Sequence, residues 1–141
     1  MARIKRQRTA AVNEADWDSM KAIFDHLIAE ERNRIDDLIA LRLSIYRRED
    51  TRATISHLLT LQEPEVRERN LLTEDEWRSL QAPTLVVAAG KDHADYTTTA
   101  RRILALLPHG EVLEMPHVAH WAPFEDPDAF LARAIPFLRA E

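Results

Sequence analysis

The sequence predicts an α/β fold: a parallel strand–helix–strand–helix unit that follows a run of helices. Three observations carry this expectation. Thr84-Leu85-Val86-Val87-Ala88-Ala89 is a continuous apolar run ending at Gly90, the pattern of a strand covered on both faces. After it come apolar residues at helical spacing and then a second short strand pattern. Upstream of Pro83 the apolar residues recur at helical spacing.

Taken in order, Trp17, Met20, Phe24, Leu27 and Ile28 mark a first helix, with Asn13 as its N-cap. A second helix spans residues 34–47 on the stripe Ile35, Leu38, Ile39, Ile45 and Tyr46, and Arg42 interrupts that stripe. A third follows Asp50, with Ile55, Leu58 and Leu59 on one side. Thr73-Glu74-Asp75-Glu76 is a capping box that opens a short helix carrying Trp77 and Leu80. Beyond the strand at 84–89, Ala100, Ile103, Leu104 and Leu107 mark a helix that Pro108-His109-Gly110 ends. Residues 111–115 read as the second strand. Asp126-Pro127 caps a last helix with Phe130, Leu131, Ala134 and Leu138 facing inward, and Pro136 is expected to kink or shorten it.

Two parallel strands are too few for a stable open sheet, so the sheet's remaining partners must come from another segment or another chain.

Composition narrows the function classes. The chain is 45% hydrophobic and 30% charged, a balance that suits a folded domain and excludes a disordered one. No apolar run approaches the roughly 20 residues needed to span a bilayer, so no membrane partner is expected. Residues 1–8 are basic, but no apolar stretch follows them as a secretory signal requires. Cysteine is absent, which excludes a disulfide framework and thiolate chemistry and fits a cytoplasmic location. The net charge of −5 argues against a nucleic-acid partner, and the one basic cluster, Arg3, Lys5, Arg6 and Arg8, reads as a solvated segment.

Chemistry-bearing side chains gather just past the two strands: Asp92, His93, Asp95 and His120. Open α/β sheets carry their sites at the carboxyl ends of strands. If the strands are adjacent and parallel, Asp92 and His120 emerge at one edge. There a carboxylate can hold an imidazole in one tautomer and stabilise its protonated form. The alternative is a turn-forming aspartate beside a surface histidine. A metal site would need His117 and His120 to converge with Asp92 or Asp95, but the H-x-x-H spacing lies in a loop, and no metal or other cofactor is expected. The serines, Ser19, Ser44, Ser56 and Ser79, all sit in helical patterns without flanking glycines. No G-x-S-x-G elbow and no phosphate-cradling glycine loop is present. Arg42 has two readings: a snorkelling side chain, or a clamp for a carboxylate or enolate.

Ala82-Pro83-Thr84-Leu85-Val86-Val87, then Asp92, then Val118-Ala119-His120-Trp121-Ala122-Pro123-Phe124-Glu125-Asp126-Pro127 resemble the last two strands and histidine loop of the α/β-hydrolase fold. Upstream, residues 36–46 and Pro64-Glu65-Val66-Arg67-Glu68-Arg69-Asn70-Leu71-Leu72-Thr73 resemble the helical cap of one branch, the meta-cleavage product hydrolases, which split a C–C bond in vinylogous 1,5-diketones. The resemblance implies a partial α/β-hydrolase fold with the N-terminal half of the sheet missing. Residues 1–80 would form the cap segment and residues 81–141 the C-terminal part of the core. It further implies His120 as triad base, Asp92 as its orienting acid, and Arg42 and Trp121 as substrate-binding residues. The substrate would be a small molecule, the full-length protein a candidate homo-oligomer, and the N-terminal half, bearing the nucleophile, would be needed in cis or in trans. An ester hydrolase of the same fold and a non-catalytic helix-rich binding module are the alternatives. This chain departs from the family pattern at Ala119, where a glycine is usual before the histidine, at Ala89, and at His93 after the acid.

Overall fold

The computed structural model describes residues 14–140. The expected cap Asn13 and the basic cluster at Arg3, Lys5, Arg6 and Arg8 lie outside the described residues. The described chain forms two compact units, one of residues 14–25 and 34–71, the other of residues 26–33 and 72–140.

The first unit is helical. Helix α1 (Trp17–Leu27) contributes all but its last two residues to it. Its N-terminus is closed reciprocally: the Ser19 N–H donates to Asp16 Oδ1 at 2.8 Å, and the Asp16 N–H donates to Ser19 Oγ at 3.2 Å. Asp16 is therefore the cap. Met20, Ile23 and Phe24 are buried, whereas Trp17, in the first turn, is exposed. In helix α2 (Asp36–Tyr46) the buried residues are Ile39, Leu43 and Tyr46, at i, i+4 and i+7. Ile35 and Ile45, expected on that stripe, are exposed. Ile35 is the N-cap, in extended backbone, and Ile45 stands six residues from Ile39, about 240° around the helix. Helix α3 (Glu49–Leu59) starts before Asp50, which sits in its first turn and pairs with Arg48 at 2.7 Å. Leu58, on the side marked by Ile55 and Leu59, is exposed. A short helix α4 (Pro64–Arg69) follows, with Pro64 at its first position, where a missing N–H costs nothing.

The second unit holds the sheet. Helix α5 (Glu74–Ser79) opens on the expected capping box: the Glu76 N–H donates to Thr73 Oγ1 at 3.2 Å, and the Thr73 N–H donates to Glu76 Oε2 at 2.7 Å. Strands β1 (Thr84–Ala89) and β2 (Gly110–Met115) pair in parallel, in register from Thr84 opposite Gly110 to Ala89 opposite Met115. Helix α6 (Ala94–Leu106) makes the crossover between them. Only Ala88 of β1 is fully buried; the other five residues are partly covered, because β2 is its one strand neighbour among the described residues. The core beneath the sheet is Met115, Val118 and Ala122, with Val87, Ala89, Leu113, Ala129 and Phe130 packed against it.

A single helical turn, α7 (Ala122–Glu125), follows the second strand and was not legible as an element in the sequence. Helix α8 (Pro127–Arg139) is capped by Asp126, whose Oδ1 accepts the Ala129 N–H at 3.1 Å. Ala134 is buried and Phe130 half-buried, but Leu131 and Leu138 are exposed, Leu138 to 79%. The helix continues through Pro136, so the expected shortening does not occur. The Ala140 N–H closes the end by donating to the Pro136 and Phe137 carbonyls at 3.0 and 3.3 Å. Arg133 on this helix pairs with Glu111 on β2. Among the described residues, no helix is long and apolar enough to cross a membrane.

Candidate functional site

The parallel register brings the loops after β1 and β2 to the same carboxyl edge of the sheet, and a close backbone approach ties them together. The Gly90 N–H donates to the Met115 carbonyl at 3.0 Å, and the Lys91 N–H donates to the Val118 carbonyl at 2.9 Å. A Cβ on Gly90 would stand 2.6 Å from Pro116 Cα and 2.7 Å from its carbonyl oxygen. Those are backbone atoms that cannot swing aside, so this approach requires glycine.

Asp92 follows two residues later. Its side chain is only 12% exposed, and its Oδ2 lies 2.8 Å from Nδ1 of His120, which is 38% exposed. The other oxygen, Oδ1, accepts the His93 N–H at 2.7 Å, which fixes the carboxylate plane from the chain side. With Nδ1 protonated, the imidazole donates to Asp92 and keeps Nε2 free of a proton, the form a general base needs. The Tyr96 ring, from the first turn of α6, lies 5.2 Å from the imidazole at 59°. On the backbone side, the His120 and Trp121 N–H groups both donate to the Leu27 carbonyl, at 3.0 and 3.3 Å.

The other members of the sequence cluster go elsewhere. His93 caps α6 by accepting the Asp95 N–H at 3.3 Å, and its ring faces the Asp95 carboxylate. His117, considered with His120 as a metal ligand, stands 2.6 Å from Asp126. The Ala129 N–H and then His117 hold the Asp126 carboxyl below its ordinary range. Among the described residues, no group of three or more His, Asp or Glu side chains could hold a metal ion. Trp121 precedes α7, is half-buried, and meets the Phe124 ring edge-on at 5.9 Å.

Arg42 lies in the first unit. Its Nη2 donates to the Tyr46 hydroxyl at 3.1 Å, and its guanidinium carbon stands 5.2 Å from the Tyr46 ring centroid and 5.5 Å from that of Phe24. Its Nε is buried and has no hydrogen-bond acceptor. The residue as a whole is partly exposed.

The hydroxyls of Ser19, Ser44 and Ser79 each donate to a helix carbonyl, of Asp16, Leu41 and Glu76, at 3.0, 2.7 and 2.8 Å. Sequence reasoning did not find Glu125, whose carboxylate bonds two backbone N–H groups, or Tyr96, or the contribution of residues 26–33 to this unit. Ala29 and Glu125 are separated by 96 residues, so no local spacing could have linked them.

The parallel strand pair thus carries an acid after its first strand and a histidine loop after its second. The chain matches the alpha/beta hydrolase family over residues 2–134, and it belongs to that family. Among solved structures it resembles a meta-cleavage product hydrolase, CumD, in its A129V mutant form, with a TM-score of 0.77 and 18% identity over 87% of this chain. It also resembles CarC, a serine hydrolase involved in carbazole degradation, with a TM-score of 0.71 and 24% identity over 89% of this chain. At such identities the likeness is one of fold. The chain spans 45% and 48% of the lengths of these two relatives. No curated protein matches it.

Proposed function

We propose that this chain is the C-terminal part of a serine-dependent α/β-hydrolase acting on a small molecule, with His120 as general base and Asp92 as its orienting acid. The observation that carries the reading is the 2.8 Å contact between Asp92 Oδ2 and His120 Nδ1 at the carboxyl edge of a parallel strand pair. In the reaction, a serine hydroxyl gives its proton to Nε2 of His120 as it attacks, and Asp92 stabilises the imidazolium until the proton passes to the leaving group. The nucleophile comes from outside this chain, in cis or in trans. The reading is supported by the sequence, which has no G-x-S-x-G, and by the helix-carbonyl partners of Ser19, Ser44 and Ser79.

For the substrate we favour a meta-cleavage product, cleaved at a C–C bond after its dienol tautomerises to a ketone. The fold likeness to CumD supports this choice. Residues 1–80 are read as cap and residues 81–141 as core. Trp121 and Arg42 are assigned to substrate binding, Arg42 because the donor fork of a guanidinium suits a carboxylate or enolate. No cofactor is required by this chemistry. We place the protein in the cytoplasm, and at full length it is a candidate homo-oligomer.

The test is turnover by the protein that carries both halves, on a chromophoric dienol and on a nitrophenyl ester. C–C cleavage abolished by His120→Ala supports the reading. Ester turnover alone assigns the runner-up, an ester hydrolase using the same pair. Undiminished turnover in His120→Ala overturns both.

A further inference from the structure

His120 sits in a loop whose own sequence offers little to hold it. It has no glycine turn before the histidine, and it is followed by a helix of one turn, α7. A carboxylate at the far end of that turn bonds into this loop. Glu125 Oε1 accepts the Ala119 N–H at 2.8 Å, and Oε2 accepts the Ala29 N–H at 2.6 Å. Ala119 is the residue before the histidine and is itself buried. The same two strands of chain are joined a second time by the His120 and Trp121 N–H groups on the Leu27 carbonyl. They are joined a third time through Lys91, whose ammonium pairs with Glu30 at 2.9 Å while its N–H bonds Val118.

We propose that Glu125 is a positioning residue for His120: it clamps the histidine loop to the segment 27–30 and so sets where the imidazole meets Asp92. This rests on the reading of Asp92 and His120 given above. The chemistry is specific to a carboxylate of this length. Both of its oxygens accept a backbone N–H, and both donors lie in partly covered surroundings where an unmatched N–H is costly. Glutamine has one acceptor oxygen and would turn an NH2 group toward the second donor. Aspartate is one methylene shorter and cannot span both.

The test uses nitrogen NMR of the whole chain at pH about 8, where an ordinary histidine is neutral. The readouts are the His120 tautomer, from its ring nitrogen shifts, and the exchange rate of its Nδ1 proton. Expected is a predominant Nδ1–H tautomer in the native chain and, in Glu125→Gln, Nδ1–H exchange about tenfold faster or more, with a mixed tautomer. His109 and His117 should keep their native signals, which a general loss of structure would not allow. Amide exchange of the native chain is read alongside, so that a variant that fails to fold does not end the test: the Ala29 and Ala119 N–H groups should be protected. Free exchange of those two amides, or a native His120 signature in folded Glu125→Gln, overturns the proposal. Asp92→Asn separates the two levels. If it leaves the His120 signals unchanged, the acid–imidazole reading fails; if it shifts them while Glu125→Gln does not, only the role of Glu125 fails.

Discussion

Oδ2 of Asp92 and Nδ1 of His120 meet at 2.8 Å across 28 residues of sequence, the carboxylate 12% exposed and the imidazole 38%. The acid is the sheltered partner and the histidine the one that faces outward, which is the order a base needs if its second nitrogen is to reach a substrate. In the protein that carries both halves, Asp92→Asn is expected to lower kcat by about three to four orders of magnitude with little change in KM, because the wrong tautomer is then favoured. His120→Ala should do at least as much. Neither should alter the melting temperature of the chain by more than a few degrees, since neither residue packs in the core. Steady-state kinetics beside a thermal melt checks both parts.

Gly90 sets the spacing on which that contact depends. Gly90→Ala places a methyl group against the Pro116 backbone at 2.6 Å, and the loops must separate to admit it. Overpacking of this kind costs about 1–3 kcal/mol. A urea titration should show the loss in midpoint, and the His120 ring signals should shift with it. A midpoint equal to that of the native chain would show that the two loops are not tied at this point.

The capping carboxylates make stability depend on acid. Asp16 is held below its ordinary 3.8 by the Ser19 N–H and hydroxyl, and Glu76 below its ordinary 4.5 by the Thr73 N–H and hydroxyl. Asp126 is lowered by the Ala129 N–H and then by His117. A carboxyl whose folded value is depressed stabilises the fold above its unfolded value, and that contribution disappears as pH falls through the folded one. Stability should therefore be level from neutral pH to about 5 and decline below about 4.5, as measured by urea midpoints across that window. Asp126→Asn retains a good N-cap but no longer titrates, so it should flatten part of the decline while leaving the neutral midpoint nearly unchanged.

Arg42 separates stability from function. Its Nε is buried without an acceptor, so Arg42→Met, of similar length, should leave the urea midpoint nearly unchanged or raise it slightly. The same variant should raise KM or lower kcat for an anionic dienol more than for a neutral ester. Equal effects on both substrates would remove Arg42 from the binding assignment.

The strands and their order were legible because a continuous β-branched run bounded by Pro83 and Gly90 has few other solutions, and the Thr73 capping box because its chemistry is local. The Asp92–His120 contact was legible as a candidate because parallel register brings strand ends together. What failed were inward assignments made from spacing alone. Ile35, Ile45, Leu131 and Leu138 are exposed, since periodicity fixes a helix's angle to itself but not which side meets a neighbour. Pro136 did not end α8, because one missing N–H is tolerated in a helix already anchored by Asp126 and Ala134. The bond from the Ala29 N–H to Glu125 could not be read from spacing at all, because the two residues stand 96 apart.

In the function proposed above, Asp92 and His120 serve a serine carried outside this chain. The most direct measurement is to sequence the DNA immediately upstream of the Met1 codon. An open frame is expected there, continuous with this one or encoding an adjacent partner, that contains a strand–turn–helix segment with G-x-S-x-G. A stop codon in frame with no elbow-bearing partner beside it would leave the pair without a nucleophile to serve and overturn its assignment as base and orienting acid.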